Sequence, residues 1–197
     1  GVSASSLTAE GAPAETIVGR STILPPDPNI GWHGDDDLSM TVWYAWRPQG
    51  LRIAVVVRDD VHNAPQWGVG TFWNSDSLQI AFDLHNDAGP DAEFDGNDRE
   101  FGMVLGPDGA HVIETFPMSR ECLGVPCAAR RTETQTVYEV ILPWERLGVT
   151  AQIDRVIGLN VIANDNDGHG RECWIGMTPG IGEAKRPNLY RDITLAE

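Results

Sequence analysis

The sequence predicts an all-β fold, an antiparallel β-sandwich with a single short helical turn. Three observations carry that reading. Apolar residues recur with a period of two rather than 3.6 along most of the chain. The alternating runs are short and are broken by glycine, proline and aspartate, with 21 Gly and 13 Pro among 197 residues. That density of breakers leaves room for strands of five to eight residues but for no long helix. Only one stretch carries both a helix start and a helix stop.

The elements follow in chain order. Residues 1–16 are small and polar without apolar periodicity, so they read as a linker or N-terminal arm, and 17–197 as one module. Residues 40–46 and 51–57 alternate on either side of Pro48-Gln49-Gly50, a hairpin pattern. Residues 78–83 alternate cleanly, which points Leu78, Ile80 and Phe82 inward and Gln79, Ala81 and Asp83 to the other face. Residues 100–105 and 110–116 flank Gly106-Pro107-Asp108-Gly109, a strong hairpin turn. Further strands are expected at 137–142, 156–163 and 192–195. The helical turn is 143–148, with Pro143 at its start and Gly148 at its stop.

Charge and composition exclude several function classes. The 29 acidic against 14 basic residues leave a formal charge of −15, which opposes binding to nucleic-acid phosphates. No apolar run reaches the length of a membrane span, and no charged-then-apolar leader opens the chain, which is expected to be cytosolic or already processed. Cys122 and Cys127 enclose four residues and are expected to close a loop disulfide, which implies a secreted, extracellular or periplasmic protein. The alternative is three reduced thiols, Cys173 included. There is no G-x-S-x-G elbow, and His33, His62, His85, His111 and His169 are scattered without a motif, so nucleophilic catalysis has little support. Met103 and His169 are the residues that could hold a haem, but no apolar pocket or C-x-x-C-H attachment marks one.

Two constellations do point to chemistry. Trp73 and Trp174 stand among glycine, aspartate and asparagine rather than aliphatic residues. A ring presented from a polar loop keeps a face open, and a sugar covers such a face with axial C–H bonds while its hydroxyls bond nearby amides and carboxylates. The plainer reading is that both rings cap the core. Trp67 and Trp32 are also loop residues, whereas Trp43, Trp46 and Trp144 read as core. Secondly, Asp165-Asn166-Asp167-Gly168-His169-Gly170 and the 91–98 loop place oxygen side chains around glycines, as a bound calcium requires. Asp165, Asp167, Asp95 and Asn97, with Asp60 after the second strand, are the candidate ligands, and the ion would pin loops rather than do chemistry. The competing reading is ordinary Asx turns.

Taken together, Trp32-His33-Gly34-Asp35-Asp36-Asp37-Leu38-Ser39, Arg58-Asp59-Asp60-Val61-His62, Trp73-Asn74-Ser75-Asp76-Ser77-Leu78-Gln79-Ile80-Ala81-Phe82-Asp83, Tyr138-Glu139-Val140-Ile141-Leu142-Pro143-Trp144 and Ile157-Gly158-Leu159-Asn160-Val161 with Asn164-Asp165 resemble the family 9 carbohydrate-binding modules. The resemblance covers about 20–197 and extends to their immunoglobulin-like, DOMON-like sandwich relatives. It implies a β-sandwich with structural calcium that holds a polysaccharide or oligosaccharide, at its chain end, between two tryptophans for an attached secreted enzyme. By position Trp73 is the first clamp ring and Gln79 its polar neighbour. Trp174 is the candidate second ring, with Trp67 as competitor, and Arg171 and Asn164 are the polar groups beside it. Gly102 and Val104 stand where the family supplies further polar ligands, a departure that bears on sugar specificity. The rival readings are a small β-sandwich polysaccharide lyase or hydrolase and a DOMON-type haem module.

Overall fold

The computed structural model describes residues 16–18 and 31–196, except 65–67, 69, 119 and 123. Among the described residues, twelve strands form two sheets. The smaller comprises β1 (Thr16–Val18), β2 (Leu38–Arg47), β3 (Gly50–Asp59), β8 (Cys127–Arg131) and β9 (Gln135–Pro143), in the order β1-β2-β3-β9-β8. The larger comprises β4 (Ser77–Asp83), β5 (Asp98–Gly106), β6 (Gly109–Phe116), β7 (Arg120–Glu121), β10 (Val156–Asp165), β11 (Cys173–Gly176) and β12 (Arg191–Thr194). Its order is β11-β10-β4-β5-β6-β7, with β12 also paired to β10. All pairings are antiparallel. The helical turn α1 (Trp144–Leu147) follows β9 and stops at Gly148, whose φ of 80° is left-handed. Among the described residues no helix is long and apolar enough to cross a membrane.

The β2–β3 hairpin is as expected except that Gly50 belongs to the strand. A side chain there would meet the Leu142 carbonyl oxygen at 2.3 Å, so only glycine lets β3 and β9 approach. Alternate residues of both sheets fill one core, among them Leu38, Val42, Ile53, Val55, Ile80, Phe82, Phe101 and Leu159. Burying such a side chain stabilises the fold by roughly 1.5–3 kcal/mol.

β4 departs from simple in-and-out alternation. Gln79, Ala81 and Asp83 face away from the core yet are also buried. A second layer covers this outer face. Phe72 packs with Ala64, Val104 and Ile113, and Ile181 with Tyr190 pack on Ala81 and Ile162. Antiparallel sheets often leave one face wet; here the connecting segments close it.

Four strands were not anticipated: β1, β7, β8 and β11. β8 reads Cys-Ala-Ala-Arg-Arg and β7 only Arg-Glu, edge strands too polar or too short to show a period. Trp144 is buried and Trp46 packs partly on the core, whereas Trp43 lies half-buried on the opposite face of β2, paired with Ala54. The expected Cys122–Cys127 bridge is absent: all three cysteines are free thiols. Cys122 is buried in the core, and Cys127 heads β8 with its Sγ donating to the Ala110 carbonyl at 3.7 Å, so the pair is committed to different neighbours. Trp67 lies outside the described residues.

Candidate functional site

Phe72–Asn74 form one 3-10 turn ahead of β4. Phe72, only 2% exposed, points down onto Gly102, where any Cβ would come within 2.3 Å of its ring. Trp73, the next residue, therefore points up and is 40% exposed, its indole N–H donating to the Gly70 carbonyl at 3.1 Å. Gly102 and Val104 thus give the Trp73 turn its apolar seat, which explains why polar groups are missing there.

The 164–171 loop is stitched to this turn by amides. Asn166 Nδ2 donates to the Asn74 carbonyl at 2.6 Å, and the backbone N–H of Arg171 donates to Asn74 Oδ1 at 2.8 Å. Asn166 Oδ1 accepts the N–H groups of Gly168 and Gly170, both at left-handed φ. The Asp76 carboxylate accepts the N–H of Asn166 at 2.8 Å and that of Asn63. These bonds deliver Arg171 to a defined place. Its guanidinium carbon lies 5.0 Å from the Trp73 ring centroid and 4.6 Å from that of Trp174, over both rings. Burial holds the Arg171 guanidinium below its ordinary pKa, though a guanidinium remains charged.

Trp174 sits on the outer face of β11, opposite Asn164. It is fixed against Gly182, where a Cβ would approach its indole nitrogen to 2.1 Å. Asn164 in turn pairs with Ser77: its Nδ2 donates to Ser77 Oγ at 3.0 Å, while its Oδ1 accepts from Arg171 at 3.2 Å. Gln79 lies two residues along β4 from Ser77 on the same face, 5% exposed, and its Oε1 is buried without a hydrogen-bond partner. An unpaired buried carbonyl costs about 1–3 kcal/mol, a cost that a hydroxyl reaching it would remove. The fold thus gathers Trp73, Trp174, Arg171 and Asn164 around one spot, with Gln79 on the same face. Sequence reasoning missed Asn74, Asn166, Ser77 and Gly182. The run of asparagines and glycines at 164–170 was the available signal for Asn166.

The candidate metal ligands divide. Carboxylate oxygens of Asp59, Asp165 and Asp167 lie within 4.8 Å of one another, as do those of Asp37, Asp60 and Asp167. Asp59, His62 and Asp76 make a third such group. Asp59 is paired with Arg131 at 2.9 Å, yet burial pushes its carboxyl up to about 6. Asp165 rises to about 7 and Asp76 to about 8, by burial first and then by neighbouring acids. Burial lowers the His62 pKa, which weakens its approaches to Asp59 and Asp76 as ion pairs. Asp167 Oδ1 is buried without a partner. Carboxylates crowded this closely fit a hard divalent cation, whose charge would return them to the ionised form. Asp59, Asp76 and Asp37 were not anticipated: Asp59 and Asp37 stand beside other acids, and only the fold shows which member of each run turns inward, while Asp76 comes from a distant segment.

Asp95 and Asn97 lie near the far end of β4 and β5, beside Asp83 and Asp98. Asp95 Oδ1 accepts from the N–H and side chain of Asn97, and Asn97 also donates to Asp87, so this loop satisfies itself as Asx turns do. Met103 is buried in the core and His169 is exposed on its loop, so the two do not form a haem site. A wider groove of about 680 Å3, lined by Phe94, Phe116 and Lys185, contains none of the candidate residues.

Residues 26–197 match the family described as carbohydrate family 9 binding domain-like. Among solved structures, the chain is similar to a family 9 carbohydrate-binding module from Caldicellulosiruptor kristjanssonii in complex with cellotriose. That likeness has a TM-score of 0.68 at 17% identity and covers 94% of this chain and 90% of the other. A second structure from the same organism, in complex with glucose, gives 0.66 at 17% identity over 93% and 91%. At that identity the likeness establishes the fold. No curated protein matches the chain.

Proposed function

The chain belongs to the carbohydrate family 9 binding domains, a family of non-catalytic sugar-binding modules, and on that premise we propose that its site is the pair Trp73 and Trp174, closing on the end of a saccharide chain. The observation that carries this reading is that both rings turn a face toward one and the same group, now the Arg171 guanidinium. Rings so disposed bury the apolar faces of one pyranose. Gln79 Oε1 and the amide of Asn164 supply directional bonds to hydroxyls. Binding is of micromolar to millimolar order, because sugar hydroxyls give up good hydration.

Calcium belongs to the same reading, bound by Asp59, Asp165 and Asp167 with Asp37 and Asp60 beside them. Its chemistry is charge neutralisation that holds the 164–171 loop in place, and it takes no part in any reaction. The module serves a polysaccharide-acting enzyme joined to it in a longer chain and working outside the cell.

The test is titration with cello-oligosaccharides and with acidic oligosaccharides, comparing wild type with Trp73→Ala. The substitution is expected to abolish binding while far-UV circular dichroism is unchanged. Binding that survives the substitution overturns the clamp.

A further inference from the structure

Arg171 stands where a neutral sugar would have to stack. Its guanidinium lies over both tryptophan rings, at 5.0 and 4.6 Å, and donates to Asn164 Oδ1 at 3.2 Å. Among the described residues it makes no ion pair, in a chain with 29 acidic and 14 basic residues. Arg52, Arg58, Arg120, Arg131, Arg146 and Lys185 each hold a carboxylate. Glu100, an acid on the same outer face, is taken by Lys185. Arg99 and Arg155 are also partly buried without an ion pair, but their guanidinium groups bond backbone carbonyls. Arg171 differs in lying over two aromatic rings, which leaves most of its donors for an anion that arrives from outside.

We propose that this site selects a hexuronate, a pyranose whose C6 is a carboxylate, and that Arg171 is the residue that recognises it. The proposal rests on the clamp reading above. A planar guanidinium offers five N–H donors in a fork that matches a carboxylate bidentately, and among the described residues it spends one bond, to Asn164. A neutral pyranose entering between the rings displaces the cation from both aromatic faces and returns only uncharged hydroxyl acceptors for the lost contacts. A uronate stacks on the rings and draws the guanidinium to its rim, where the new ion pair replaces them. The net charge of −15 does not forbid this. At about 0.15 M salt the screening length is about 8 Å, so the contact decides and the distant acids do not.

The matched probes are glucuronate and glucose, which differ only at C6, titrated by NMR or calorimetry into wild type, Arg171→Met, Arg171→Lys and Trp73→Ala. Glucuronate is expected to bind wild type at least about tenfold more tightly, with the preference shrinking as salt rises. Arg171→Met is expected to bring the ratio to about one. Arg171→Lys keeps the charge but not the fork, and is expected to leave an intermediate ratio. Should the methionine variant not fold, the lysine variant decides, and an undiminished ratio there overturns the role of Arg171. If wild type binds glucose as well as or better than glucuronate, and Trp73→Ala abolishes it, the uronate inference falls while the saccharide clamp stands. If neither sugar binds, both readings fall.

Discussion

The two faces of β10 end in opposite situations. On the outer face Asn164 faces Trp174 and Arg171, a place with two aromatic rings and a cation that has no carboxylate partner among the described residues. On the inner face Asp165 meets Asp59 and Asp167, a place with carboxylates and too few cations. Consecutive residues feed both, because a strand sends neighbours to opposite sides. The same split occurs at Asp76 and Ser77 and at Cys173 and Trp174. On the readings proposed above, each face is left for a different external partner, a sugar acid outside and a divalent ion inside.

The predictions bear on whether the two faces are separable. Asp76→Ala should damage both, since its carboxylate holds the backbone of Asn63 and Asn166. With calcium present the Asp76 carboxylate is held ionised, and hydrogen bonds to a charged acceptor are worth about 1.5–3 kcal/mol each. Thermal unfolding should show a loss of about 3 kcal/mol, and saccharide titration should show binding lost together with it; intact binding would mean that the 164–171 loop does not depend on the inner face.

Trp174→Ala should damage the outer face alone. Losing one stacked ring removes about 1.5–3 kcal/mol of sugar contact, roughly tenfold to a hundredfold in affinity, and should leave the calcium-dependent melting temperature unchanged. Calcium is expected to do the reverse. Adding it at about 100 times its dissociation constant should stabilise the fold by about 2.7 kcal/mol, and chelation should remove that gain. Asp165→Asn should abolish the calcium response in the same melting experiment.

The inner face should also titrate. Asp76 and Asp165 are raised to about 8 and about 7 in the folded protein, against about 4 for an unfolded aspartate. The calcium-free fold therefore binds more protons than the unfolded chain between those values. The stability that these two groups contribute is full below about pH 4 and is lost as pH rises toward about 8. Calcium, by favouring the ionised carboxylates, should flatten that decline in pH-dependent melting curves. The smallest effect is expected at the control loop: Asp95→Ala breaks only exposed bonds to Asn97 and should change stability by less than about 0.5 kcal/mol, without altering the calcium response.

Much of the outer face was legible in the chain. Trp73 and Trp174 could be named because aromatic residues in polar loops are a local signal, and Gln79, Asn164 and Arg171 because the family resemblance places polar groups beside such rings. Gly182 and Phe72, which set the two rings, were not legible. Their role is to fit another segment, and nothing in their own neighbourhood shows it. The inner face was half legible. Asp165, Asp167 and Asp60 sit in acid-rich runs, and so does Asp59, but that Asp59 rather than its neighbour faces Asp76 and Asp165 is decided only when three separate strands end at the same edge of the core. Asp95 and Asn97 show the converse: an acid-rich loop looks alike in sequence whether it serves an ion or its own turn.

What the chain determined by itself was the β architecture, the single helical turn and the identity of the aromatic and amide residues of the outer face. Alternation and turn chemistry are short-range properties, set by residues within a few positions of one another. The tertiary structure alone decided that β4 is buried on both faces, that Cys122 and Cys127 go to different neighbours, and that Arg171 lies over both tryptophans rather than beside an acid. Each of these depends on what packs across a gap from residues distant in sequence, and the period of a strand carries no record of what covers its face.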